Sequence, residues 1–126
     1  MYATQLKNIT TKHDFLDWCI DIDESSAFKR RINSTEYRVS QCVYGTCLLA
    51  DFKHHKFNLC YYTGNYIFSS LCHILCAYMQ DKTADEIQNI NLENFKDILN
   101  FYTVENKIAF QRILNHTKIL ARKLTM

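Results

Sequence analysis

Proline is absent from the 126 residues, and glycine occurs only twice, at Gly45 and Gly64, so few tight turns are marked. No repeat or low-complexity tract appears. The formal charge of +2 is too small to imply a nucleic-acid partner by itself. Long pure apolar runs are missing too. The most apolar window, Tyr61 to Met79, contains Asn65, two serines and His73, and reads as a buried helix rather than a membrane span. Lys7, Lys12, His13 and Asp14 break the first apolar run, so no signal-peptide h-region is visible. The chain has no Walker loop, zincin spacing or dinucleotide fingerprint. His13, His54, His55, His73 and His116 form no specific Ser/His/Asp or Cys/His pattern.

What is present describes one domain over residues 1–126. Hydrophobic residues make up 48% of the chain, with eight Tyr, eight Phe and one Trp, which excludes disorder. A chain of this length buries roughly 65% of its unfolded surface without metal or disulfide staples. Six cysteines (Cys19, Cys42, Cys47, Cys60, Cys72 and Cys76) permit a disulfide framework. The missing h-region and the continuous apolar periodicity instead predict a reducing, cytoplasmic setting with no membrane partner.

Thr10 to Asp14 reads as a helix cap ahead of an apolar stripe at Phe15, Leu16, Trp18, Cys19 and Ile22. From Glu36 to Tyr62 the period changes to two. Tyr37, Val39, Gln41 and Val43 alternate with Arg38, Ser40, Cys42 and Tyr44; Cys47–Phe52 and Phe57–Tyr62 follow, separated by Lys53-His54-His55-Lys56. The expected fold is α+β: a three-stranded antiparallel meander packed against a long buried helix and C-terminal helices. Ile67, Leu71, Ile74, Leu75 and Tyr78, with Phe68, Cys72, Cys76 and Met79 beside them, make that long helix apolar over most of its circumference. Thr83-Ala84-Asp85-Glu86 has capping-box spacing, Asn91 starts another helix, and the last runs from about Glu105 to Leu124. Residues 101–126 carry a net +4, a basic helix able to dock an acidic protein.

This element order resembles the SufE-like/IscU-like (NifU N-terminal) fold, nearest to SufE-type sulfur acceptors. The SufE-type signature is Val-x-Gly-Cys-x-Ser-x-Val-Trp-Leu, and Val39, Cys42 and Leu48 match it. Gln41, Tyr44, Thr46 and Cys47 stand where the family has glycine, serine, valine and tryptophan. Thr83 to Ile87 is similar to its Thr-Pro-x-x-Ile helix start, and Lys107 is the basic residue nearest its Arg-x-Asn-Gly segment. In the scaffold branch, Tyr44, Asn65 and Phe110 or Gln111 would occupy the three ligand-cysteine positions, and Thr46 the aspartate. A phenol, a carboxamide and a phenyl ring or amide cannot replace cluster thiolates, which argues against a conventional scaffold.

The resemblance implies that Cys42 accepts persulfide sulfur from a cysteine desulfurase for iron–sulfur cluster assembly. Pyridoxal phosphate would belong to that partner, and this chain would carry no cofactor or metal of its own. An iron–sulfur scaffold protein is an implied second partner. Arg38, four residues back, is placed to favour the Cys42 thiolate, and Lys107 is the second basic candidate. Cys47 is either a second thiol or a core residue; Cys42 itself is either reactive or packed beneath a helix. The rival expectation is a non-catalytic adaptor or regulator of a desulfurase or assembly complex that has lost the thiol chemistry. Cys72 and Cys76, at helical i,i+4 spacing with His54 or His55, are a weak metal pattern.

Overall fold

The structure, a computed structural model, describes residues 2–32, 37–39, 42 and 44–125. The chain runs α1 (Tyr2–Lys7), α2 (Lys12–Ser25), β1 (Cys47–Lys53), β2 (Lys56–Tyr62), α3 (Tyr66–Met79), α4 (Ala84–Gln88), a 3-10 turn (Leu92–Phe95), α5 (Lys96–Leu99) and α6 (Val104–Leu124). Among the described residues, no helix is long and apolar enough to cross a membrane.

β1 and β2 form an antiparallel hairpin in the register Cys47↔Tyr62 to Lys53↔Lys56. His54 and His55 turn it with φ of 55° and 65°, the pair of positive angles that a two-residue type I′ connection needs. Strand alternation sends Leu48, Phe57, Leu59 and Tyr61 inward, with Phe52 and Phe57 in ring contact at 5.1 Å. Leu49, Asp51, Asn58, Cys60 and Tyr62 take the other face. An isolated hairpin is marginal in water; here its inner face is covered by α3 and α6.

The expected three-stranded meander is not formed: among the described residues the sheet has two strands. Arg38 makes a single antiparallel bridge to Cys47, and the Val39 N–H donates to the Thr46 carbonyl at 2.8 Å. The chain then turns on itself. The Cys42 N–H donates to Val39 O and the Gly45 N–H to Cys42 O, so turn bonds take the backbone groups a third strand would have used. Gly45 completes the reversal at φ +63°, and a Cβ there would come within 3.0 Å of the Arg38 guanidinium. Ser40, Gln41 and Val43, which the alternation assigned to the missing strand, lie outside the described residues. On the opposite edge, residues 28–30 add a short parallel pairing to Tyr61.

α3 is the central element, as its apolar circumference requires. The Asn65 side chain accepts from the Phe68 N–H at 2.9 Å to start it, and Phe68, Leu71, Cys72, Leu75, Cys76 and Met79 are buried along it. α2, capped by Thr11 as expected, packs on one side of α3. The Thr83/Glu86 capping box forms in both directions. α6 buries Phe110, Ile113, Leu114, Thr117 and Ala121 along one stripe; Leu124, at the next apolar position of that stripe, is exposed in its last turn.

His73 ties the N-terminal helices to α3. One ring nitrogen meets Tyr2 Oη at 3.0 Å and the other Ser26 Oγ at 2.7 Å. Burial lowers its pKa from the usual 6.5. The folded state therefore binds fewer protons than the unfolded one just below neutrality. The stability present above the unfolded value is lost as pH falls through it towards the folded value. His116, lowered by burial and by Lys123, acts in the same direction. Urea midpoints are expected to fall between about pH 7 and 5.5, above the range where carboxylates titrate. His73→Gln should shrink that difference.

Candidate functional site

The site is built where the loop that carries Cys42 and Tyr44, the β2–α3 turn and the first turn of α6 meet. Cys42 lies in the loop, half-buried, and its Sγ donates to Thr46 Oγ1 at 3.3 Å. The expected placement on a strand face beside Ser40 and Tyr44 is thereby corrected, because residue 42 sits in the turn that replaces that strand. Tyr44 anchors the loop. Its ring stacks on Phe68 at 4.7 Å, its hydroxyl donates to Asn106 Oδ1 at 2.7 Å, and its carbonyl accepts from Thr63 Oγ1 at 3.1 Å. Burial first, then the charges of Glu105 and Cys42, raise the Tyr44 pKa, so the phenol keeps the proton it gives to Asn106.

The other thiols are differently placed. Cys19, Cys47, Cys72 and Cys76 are buried, Cys47 as the first residue of β1. Burial drives the Cys72 and Cys76 pKa values well above the ordinary thiol range, and lesser burial raises Cys19. Cys60 is half-buried on the outer face of the hairpin, in a cleft of about 600 Å³ with Arg30 and Asp51. Its pKa is also raised by burial, partly offset by Arg30. A raised thiol pKa means less thiolate and slower attack.

Arg38 is exposed, and its guanidinium lies against Gly45. Lys107 is half-buried in the first turn of α6, next to Asn106. Tyr44 and Asn65, paired by the scaffold-like register, come to the same locality: Thr63 Oγ1 bonds both the Tyr44 carbonyl and, at 3.5 Å, the Asn65 N–H. Each is used structurally, one as a loop anchor and the other as a helix cap. Thr46 and Phe110 are fully buried. Cys72 and Cys76 sit in the core while His54 and His55 turn an exposed hairpin; among the described residues, no three potential metal ligands converge.

The sequence reading missed Asn106, Thr63 and the pairing of Cys42 with Thr46. For Asn106 a signal exists: it stands one turn before Phe110 on the buried stripe of α6, and a polar residue there needs a partner.

No protein-family model matches the chain. No curated protein matches it either. Among solved structures, it is similar to a hypothetical protein from Thermus thermophilus, known from a solution structure, with a TM-score of 0.73 at 12% identity. The match covers 92% of this chain and 88% of that one. At that identity the likeness is one of fold.

Proposed function

We propose that this chain accepts sulfane sulfur on Cys42 from a pyridoxal-phosphate-dependent cysteine desulfurase and passes it towards iron–sulfur cluster assembly. The observation carrying the reading is the position of Cys42: half-buried in a turn at the edge of the core, with a weak thiol–hydroxyl contact, while four of the other five thiols are buried. The SufE-type resemblance of Val39, Cys42 and Leu48 points the same way. In the transfer, the Cys42 thiolate attacks the sulfane sulfur of the donor's cysteine persulfide. A sulfur–sulfur bond forms at Cys42, the donor's breaks, and the donor cysteine leaves as a thiolate. The Cys42 proton goes to solvent, and no net oxidation occurs.

The full chain incubated with a desulfurase, cysteine and pyridoxal phosphate is expected to gain about 32 Da, one sulfur, removable by reductant. Cys42→Ser should abolish the gain and Cys47→Ser should keep it. A second reading, an adaptor that docks without chemistry, is favoured by the structural use of Tyr44 and Asn65. It predicts a stable complex with no mass gain. Absence of binding to any desulfurase would remove both.

A further inference from the structure

We propose that the outward face of α6 docks the acidic face of α2 from a second copy of this chain. Asp14, Asp17, Asp21 and Glu24 are all exposed, and their 3-4-3 spacing lays them along one side of α2. Among the described residues, the ion pair on that row is the exposed His13–Asp17 contact at 3.3 Å, worth little in water. On α6, Ile108 and Ile119 are 52% and 46% exposed, and Lys118 and Arg122 flank Ile119. Lys118, Ile119 and Arg122 line a cleft of about 440 Å³ with Gln88. Gln88 accepts from the Arg122 guanidinium at 3.1 Å and donates to the Lys118 carbonyl at 2.9 Å, which holds the cationic end in place.

The two faces match in spacing as well as sign. Asp17 and Asp21 are an i,i+4 pair, as are Lys118 and Arg122, so two helices laid side by side bring both pairs together at once. The acidic row is about 15 Å long, shorter than α6, and fits within it. Half-buried Ile20 on the edge of the α2 row can then cover Ile119. Exposed apolar residues beside charges of one sign are what such a contact requires. Because each copy carries both faces, the pairing closes as a reciprocal dimer or runs on as an open chain.

Sedimentation of the reduced full chain tests this. Association is expected at about 50 mM salt and should weaken about tenfold or more near 500 mM, where exposed charges are screened. Lys118→Glu with Arg122→Glu should leave the chain monomeric, as should Asp17→Lys with Asp21→Lys. Mixing these two variants should restore association, since each supplies the complement of the other. Ile119→Ser, at an exposed position that leaves the Gln88 bonds intact, should weaken association in a chain whose melting is unchanged. A wild-type chain that remains monomeric at low salt, or a mixture of the swapped variants that does, overturns the proposal.

Discussion

Replacing Phe68 with alanine is expected to cost about 3–5 kcal/mol of stability and to lower the melting temperature by about 10–20 °C. Phe68 is fully buried at the start of α3, where its ring meets both the core and the Tyr44 ring. Truncation removes the transfer free energy of a phenyl group and leaves a cavity at the junction of three elements. Those elements are pinned independently: the Asn65 cap fixes the first turn of α3, Thr63 fixes the Tyr44 carbonyl, and Asn106 fixes the Tyr44 hydroxyl. Collapse into the space would break at least one of these bonds, so the cost should fall in the upper part of the range for aromatic truncation. Tyr66→Ala is the matched control. It lies in the same helical turn but is exposed, and should shift stability by about 0.5 kcal/mol or less. A change below about 1 kcal/mol for Phe68→Ala would mean that the loop and α3 are not packed through this ring.

Helix boundaries were legible because hydroxyl and amide caps write themselves into the chain. Thr11, Thr83 and Asn91 each stand where a side chain takes an orphan N–H. β1 and β2 were legible from alternation, although the turn between them lacks the usual Asn-Gly signal and places two histidines at positive φ. α1 was not legible: its described side chains bury only Leu6 fully, too little for a periodic stripe. The third strand, absent among the described residues, fails for a different reason. Alternation from Tyr37 to Tyr44 satisfies the period-two pattern, but a pattern of side chains does not encode where the backbone bonds go. Gly45 held the one clue, since a glycine that close to a strand start marks a reversal. The Cys42 thiol was legible as a candidate; its surroundings were not. Asn106 is 62 residues from Tyr44, and no local pattern links them.

Removing only the Tyr44 hydroxyl is expected to speed modification of Cys42 by a small thiol reagent about 5- to 150-fold, corresponding to about 1–3 kcal/mol. Tyr44→Phe keeps the ring on Phe68, so the loop retains its apolar seat. What changes is Asn106, whose Oδ1 loses its donor while the residue is 5% exposed. With the loop closed, that oxygen is desolvated and unpaired; with the loop open, water reaches it. The penalty therefore falls on the closed state alone and shifts the balance towards open forms, in which the Cys42–Thr46 contact is also released. Cys60, on the hairpin's outer face, should react at an unchanged rate and serves as the internal control. Adding Asn106→Leu should return the Cys42 rate towards wild type, because losing both partners of a buried hydrogen bond costs far less than losing one. Equal Cys42 rates in wild type and Tyr44→Phe would show that the hydroxyl does not hold the loop. An accelerated rate would instead locate the control of thiol access in a bond between Tyr44 and the first turn of α6, where a partner touching that turn could release it.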